Sequence, residues 1–283
     1  MSVRGVIFDV DGTLVRGDDP LPGAAAGLAA VDDAGLRRLF VSNNPTKPPE
    51  AYEERLGRAG FDVDAGEVIT AGSVSARYLA THHNDDRVAV VGESGFVDLL
   101  RDVGLSVTTV GADREAPSPT APDPTPAPDV LVASIDREFH YRTLRQCLRL
   151  LNDSDVTFLG TDPDVVIPAP DEDVPGSGAM IDAIANVVGR DPAAILGKPS
   201  RITRDTALDR LGLAPEEVLV VGDRLDTDIA LAEGSGMRTA LVRTGVTDDA
   251  DLEASPIRPD HVFDSLSALD TILPDESNTA QSL

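Results

Sequence analysis

Six short apolar runs recur along the chain: GVIFDV (5–10), RLFVSNN (38–44), RVAVVGE (87–93), DVLVASID (129–136), VLVVGD (218–223) and TALVRTG (239–245). Each ends in Gly, Asp, Ser or Asn and gives way to a stretch with helical spacing. Continuous Val, Ile and Leu without polar alternation suit parallel strands buried on both faces, and helices between such strands build βαβ units. The pattern predicts an α/β protein. After the first run, LPGAAAGLAAVDDAG (21–35) places Pro22 near a helix start and Gly35 at its end, the usual asymmetry of those two residues. APSPTAPDPTPAPD (116–129) carries six prolines. It can form neither helix nor central strand, and reads as a loop or extended insertion. The polar tail from Pro274 is expected to fray, and no internal repeat is present.

Composition adds boundaries. At 283 residues and 41% apolar content, the chain can bury one large core or two smaller ones. No stretch approaches the ~20 consecutive apolar residues of a membrane helix, and MSVRGVIFD lacks the apolar core of a signal peptide, so a cytoplasmic protein is expected. The lone Cys147, inside LRQCLRLL, reads as a small buried hydrophobe and excludes an internal disulfide. His82 and His83 are adjacent on a helical stretch and point in different directions, which argues against a metal pair. The net charge is −25, with 36 aspartates, 13 glutamates, 22 arginines and two lysines, Lys47 and Lys198. That balance argues against nucleic acid and anionic membranes as partners. It leaves a basic partner or, the preferred reading, a halophilic protein whose dense aspartate surface tolerates molar salt. In a chain that avoids lysine, each survivor is a candidate for a specific task.

The chemistry collects at the strand ends. Asp9 and Asp11 close the first run; Ser42, Asn43 and Asn44 close the second; Asp223 closes VLVV; Lys198 stands in LGKPS ahead of a helix. In open parallel sheets, ligand-binding groups gather beyond the carboxyl ends of strands. Taken singly, each motif has a plainer reading: a tight turn for Asp-x-Asp-Gly, a helix cap for Ser-Asn-Asn, a capped loop for GDRLDTD. Together they point to a phosphate and metal site. Converging carboxylates repel one another unless a hard dication such as Mg²⁺ takes their oxygens, and Lys198 offers an anion a point charge.

These motifs, DVDGT (9–13 region), SNN from Ser42, GKP with Lys198 and GDRLDTD from Gly222 to Asp228, occur in the order found in the haloacid dehalogenase (HAD) superfamily of aspartate-dependent phosphatases, which the chain resembles. DREFHYRTL, GTDPD and PGSGA resemble the large α/β cap of the subgroup that includes NagD, 4-nitrophenyl phosphatases and phosphoglycolate phosphatases. The resemblance implies a Rossmann-like parallel-sheet core over 1–83 and 192–283, with an inserted α/β cap over 84–191. It implies that Asp9 is the nucleophile and Asp11 the general acid and base. Mg²⁺ would be held by Asp9, the Asp11 carbonyl and Asp223. Ser42, Asn43, Asn44 and Lys198 would bind the phosphoryl group, with Thr13 and Asp228 orienting Asp11 and the metal waters. Asp11, two residues after the nucleophile, selects phosphatase or phosphotransferase chemistry over dehalogenation.

The expected function is therefore Mg²⁺-dependent hydrolysis of a small phosphorylated metabolite, such as a sugar phosphate, glycerol phosphate, phosphoglycolate or nucleoside monophosphate. DPDVVIPAP has Val166 and Ile167 where pyridoxal phosphatases carry a histidine, which argues against pyridoxal phosphate. Asp136 and Asp164 lie near the family's substrate loops but read as surface charge in so acidic a chain. A homodimer through the cap is compatible with the resemblance. The alternatives are a phosphotransferase on the same scaffold and a non-enzymatic phospho-aspartate signalling domain; the latter needs only about 120 residues and no cap.

Overall fold

The computed structural model describes residues 2–111, 127–153, 155–168 and 172–274. The proline-rich stretch lies outside the described residues except for Ala127, Pro128 and Asp129, and so does the tail beyond Pro274. Contacts divide the chain into two units: Met1–Ser42, Pro49–Ile69 and Lys198–Leu283 form the first, Asn43–Pro48 and Thr70–Gly197 the second. The second unit is thus wider than the 84–191 read from sequence. It takes in the helix over 71–82, whose apolar side packs on the helix that begins at Ser94.

The first unit opens with strand β1 (Gly5–Asp9), buried throughout. A short hairpin of β2 (Val15–Arg16) and β3 (Asp19–Pro20) follows, then helix α1 (Ala24–Asp33), strand β4 (Arg37–Ser42), helix α2 (Pro49–Arg58) and strand β5 (Val68–Thr70). The alanine-rich α1 has high helix propensity and buries Ala24, Gly27, Leu28 and Val31, one stripe at three- and four-residue spacing. The chain then forms the second unit: α3 (Ala71–His82), β6 (Arg87–Val91), α4 (Ser94–Asp102), β7 (Ser106–Thr109), β8 (Val130–Ala133), α5 (Tyr141–Leu150), β9 (Thr157–Gly160), the hairpin β10 (Val166–Ile167) and β11 (Val174–Pro175), α6 (Ser177–Val188) and β12 (Ala194–Ile195). It returns through α7 (Arg201–Leu211), β13 (Val218–Gly222), β14 (Arg238–Val242), α8 (Asp249–Ala254) and β15 (His261–Phe263).

The sheet of the first unit has the order β15-β14-β13-β1-β4-β5. β1 pairs in parallel with both β13 and β4, and β14 with β13 and β15. Strand order therefore runs outward in both directions from β1. This is a topological switch point, where a crevice opens beyond the carboxyl ends of the strands. Phe8 and Phe40 stack at 5.8 Å between ring centroids in a core that includes Val6, Leu219, Val221 and Val242. Each such buried side chain stabilises the fold by ~1.5–3 kcal/mol, which fixes the strands that carry the polar ends.

The second unit repeats the principle with the sheet order β12-β9-β8-β6-β7, every adjacent pair parallel. Leu131, Phe158, Ile181 and Ile184 fill its core together with Cys147. Burial pushes the Cys147 thiol up to about 12, so it packs as a hydrophobe. All six apolar runs are strands of two parallel sheets (β1, β4, β6, β8, β13 and β14), and the fold is α/β. Among the described residues, no helix is long and apolar enough to cross a membrane.

Candidate active site

Asp9 is the last residue of β1 and lies opposite Val41 of β4, so Ser42 stands one residue beyond it on the neighbouring strand. Asp223 follows β13 on the other side. Behind it, residues 224–229 form a π turn in which the Ile229 N–H reaches back to the Arg224 carbonyl; such turns are frequent at functional sites. The turn folds Asp228 back beneath Asp223: Asp228 Oδ2 accepts from the backbone N–H of Asp223 (3.1 Å) and of Arg224 (3.0 Å). Lys198 enters from just before α7. Its Nζ donates to Asp9 Oδ1 at 2.6 Å, Asp228 Oδ1 at 2.7 Å and the Val41 carbonyl at 2.9 Å, with only 3% of its side chain exposed.

Glycine makes the close approach feasible. Gly12, with φ at +94°, turns the chain directly after Asp11, and a Cβ there would sit 2.5 Å from Asp223 Oδ2. Gly245, after β14, likewise leaves the room that the Asp223 carboxylate fills, and the next N–H, that of Val246, donates to Asp223 Oδ2 at 2.7 Å. Any L-side chain at either position would collide with the carboxylate. Thr13 is buried, its hydroxyl 3.5 Å from Asp223 Oδ1.

The cluster is short of positive charge. Asp9, Asp223 and Asp228 have oxygens that all lie within 4.8 Å of one another. Burial, and then Asp228, hold Asp9 well above the usual carboxylate range, and Lys198 only partly offsets them. Burial and Asp228 also push Asp223 up to about 7. Burial alone would lower Lys198, but Asp228 and Asp9 outweigh it and hold the ammonium firmly protonated. The Asp9 Oδ2 atom is buried with no hydrogen-bond partner among the described residues. An orphaned carboxylate oxygen beside two further carboxylates is a fit for a hard divalent cation, which supplies both the missing ligand and the missing charge.

Asp11 lies apart from this triad. Its carboxylate is half exposed and pairs with Arg55 of α2 at 2.7 Å. Ser42 is buried, its Oγ 2.7 Å from the Tyr52 hydroxyl of the same helix. Asn43 and Asn44 belong to the second unit, where Asn44 Oδ1 accepts from the N–H of Thr46 and Lys47 and from the Thr46 hydroxyl, closing a turn.

The first unit thus gathers Asp9, Thr13, Ser42, Lys198, Asp223 and Asp228 around the end of β1. The model of the haloacid dehalogenase-like hydrolases matches residues 6–106, and a second HAD-hydrolase model matches 195–269. An acid sugar phosphatase of Staphylococcus epidermidis is 32% identical over 93% of this chain and 95% of its own length. The chain belongs to the haloacid dehalogenase-like hydrolases. It is an enzyme, a phosphatase of that family. A glycerol-3-phosphate phosphatase of Mus musculus is 33% identical over 95% of this chain and 90% of its own. Among solved structures, a p-nitrophenyl phosphatase from Archaeoglobus fulgidus superposes with a TM-score of 0.84 at 31% identity, covering 96% of this hydrolase and all of that chain.

The sequence reading of this hydrolase did not single out Tyr52, Arg55, Gly245 or the Val246 N–H. All four act through geometry that a motif search does not register. The available signal was a tyrosine and an arginine three apart on α2, one helical face, in a chain with only three tyrosines.

Proposed function

We propose that this phosphatase hydrolyses phosphate monoesters of small polyols and sugars with Mg²⁺, through an aspartyl-phosphate on Asp9. The observation that carries the reading is the buried Asp9 carboxylate at the switch point of the sheet, one oxygen held by Lys198 and the other without a hydrogen-bond partner among the described residues. The names of relatives matching over nearly their full length support the choice of sugar and glycerol phosphates. In this reading Asp9 and Asp223, with the Asp11 carbonyl, hold the metal. Asp228, whose oxygens already receive Lys198 and two backbone N–H groups, keeps the lysine and the β13 turn in place.

When bound, Mg²⁺ supplies positive charge that keeps Asp9 ionised and offsets the phosphate dianion. An Asp9 oxygen attacks phosphorus, and the bond from phosphorus to the ester oxygen breaks as that oxygen takes the Asp11 proton. Water then attacks the aspartyl-phosphate and gives a proton to Asp11, and the bond between phosphorus and the Asp9 oxygen breaks to release inorganic phosphate. Lys198 and the Ser42 hydroxyl bind the transferring oxygens.

The test is phosphate release from glycerol 3-phosphate, glucose 6-phosphate and AMP at saturating Mg²⁺. Turnover of the first two over AMP supports the substrate class, and turnover of AMP alone overturns it. Asp11→Asn should lose about 10²-fold in kcat while retaining Mg²⁺ affinity, because the ligand there is a backbone carbonyl. Equal losses in both would undo this division of roles.

A further inference from the structure

Helix α2 touches the site twice, from two side chains on one face. The Tyr52 hydroxyl, 2% exposed, lies 2.7 Å from Ser42 Oγ. One turn on, Arg55 Nη2 donates to Asp11 Oδ1 at 2.7 Å, and its guanidinium carbon sits 5.7 Å from the centroid of the Tyr52 ring. Arg55 Nε also donates to the Gly17 carbonyl at 3.0 Å, in the turn between β2 and β3, and lies 3.5 Å from Asp18. The guanidinium is therefore fixed by the ring, the carbonyl and two carboxylates, and only 19% of its side chain is exposed.

We propose that Tyr52 and Arg55 are positioning residues that together brace the two halves of the reaction. Tyr52 sets the Ser42 hydroxyl on the phosphoryl side, and Arg55 sets the Asp11 carboxylate on the leaving-group side. The proposal rests on the phosphatase reading above and extends it to residues that touch no reacting atom. Asp11 stands two residues beyond the end of β1 and its carboxylate is about half exposed, so its own backbone leaves several staggered rotamers open. A single partly exposed ion pair adds little to fold stability, whereas misplacing a proton donor by an ångström costs catalysis far more. The 2.7 Å contact between the two hydroxyls admits either as donor; when the tyrosine donates, Ser42 Oγ accepts and its own proton can turn toward another acceptor, such as a phosphoryl oxygen. The fork of Arg55 bonds a carboxylate and a carbonyl at once, which a lysine ammonium on a flexible stem cannot reproduce with the same orientation.

The plainer alternative is that Arg55 only pins the β2–β3 turn through Gly17. Leaving groups separate the two. Because kcat/KM reports formation of the aspartyl-phosphate, it depends on Asp11 only where the departing oxygen needs a proton. Glycerol 3-phosphate releases an alkoxide that does; 4-nitrophenyl phosphate releases a phenolate that near neutral pH does not. Arg55→Met should lower kcat/KM by about 30- to 100-fold on glycerol 3-phosphate and by under about threefold on 4-nitrophenyl phosphate. Tyr52→Phe should lower both equally, by about five- to tenfold, since it acts on the phosphoryl side. On an Asp11→Asn background, Arg55→Met should add no further loss with glycerol 3-phosphate. Should Arg55→Met not fold, Arg55→Lys takes its place, with the same selective loss in smaller measure. Equal losses on the two substrates, or additivity with Asp11→Asn, would overturn the brace while leaving the phosphatase intact. A wild-type enzyme that released phosphate from neither substrate would overturn the phosphatase reading, and the brace with it.

Discussion

Both sheets of this hydrolase end in buried carboxylates, yet the two ends are built for different purposes. At the first, Asp9 and Asp228 share the Lys198 ammonium with Asp223 close beside them, and Asp9 Oδ2 has no partner among the described residues. At the second, Asp162 follows β9, and its Oδ2 accepts from the Thr161 hydroxyl at 2.9 Å. Ser177 also bonds it, and the Ser177 hydroxyl in turn accepts from the Ile135 N–H at 3.1 Å. Hydroxyls and backbone thus satisfy one acid, while the other cluster is left short of charge. Asp136 and Asp164, which the sequence suggested were surface charge, are half-buried there too, because they also stand just past strand ends. A carboxylate beyond a parallel strand is common to both ends. What sets the first apart, and supports the proposal that it is the reaction site, is the buried lysine and the carboxylate oxygen without a partner among the described residues.

The sharpest break in that comparison comes from Asp9→Asn. In the proposed mechanism it removes the nucleophile and a metal ligand from the over-negative cluster, so turnover should fall by at least about 10³-fold. The metal-free unfolding temperature should hold or rise, because a buried charge held against repulsion has gone. Lys198→Met should do the reverse to stability, lowering it by ~3–5 kcal/mol, since it leaves the carboxylates without their cation. Thermal unfolding of the two variants beside a phosphate-release assay decides this. A retained tenth of turnover in Asp9→Asn would return the first cluster to the status of the second.

Divalent cations should divide the two ends in the same way. Anything that binds only the folded state stabilises it by RT ln(1 + [L]/Kd), about 2.7 kcal/mol at a hundredfold excess over Kd. Mg²⁺ should therefore raise the unfolding temperature of the wild type by several degrees. Asp223→Asn should lose most of that gain, and Asp162→Asn should keep it. A Mg²⁺ response that Asp162→Asn abolished would move the metal to the second unit.

Much of this contrast was legible in the sequence, and the reasons are physical. Strands such as Val218–Gly222 announce themselves because burial on both faces demands an unbroken apolar run. Lys198 stood out because the chain has only one other lysine. Short strands did not show: Ala194–Ile195 has two residues and His261–Phe263 three, both partly exposed, too few for any period to register. Nor could sequence place residues 70–83 with the second unit, since that follows from which helix α3 packs against. The support of Ser42 and Asp11 by α2 was hidden as well, because it depends on where a helix docks and not on what precedes a motif.

A smaller effect concerns pH. Burial, and next Asp164, push Asp162 up to about 7, against about 4 for an ordinary aspartate. Between those values the folded state binds more protons than the unfolded one. Stability contributed by this group is therefore full at about pH 4, falls as pH rises, and levels off above about pH 7. Asp162→Asn has no such proton to lose and keeps the hydroxyl contacts. It should match the wild type near pH 4 and unfold at a higher temperature at pH 8, by up to about 4 kcal/mol as an upper bound. Asp223 shifts in the same sense, so the slope that survives in Asp162→Asn should belong to the first cluster and vanish at saturating Mg²⁺. An unchanged slope in the variant would place the titrating group elsewhere.

The smallest expected effect per residue, spread over the whole surface, is that of salt. With a net charge of −25, the chain repels itself and a phosphate dianion alike at low ionic strength, where the Debye length is ~30 Å at 0.01 M. At ~1 M salt that length falls to ~3 Å. Long-range repulsion is then suppressed, while contacts such as Lys198 to Asp9 at 2.6 Å and Asp228 at 2.7 Å are shorter than the screening length and shielded by burial. Unfolding temperature and kcat/KM should therefore both rise toward molar salt, the opposite of steering by a basic cleft. The two strand ends should respond alike in stability, because the repulsion relieved is that of the surface and not of either buried cluster. Asp162→Asn and wild type should then show parallel salt curves at fixed pH. Mg²⁺ must be saturating throughout, and KCl compared with NaCl separates screening from specific ion binding. Highest stability and activity in salt-free buffer would refute adaptation to salt and point instead to a basic partner for the acidic surface.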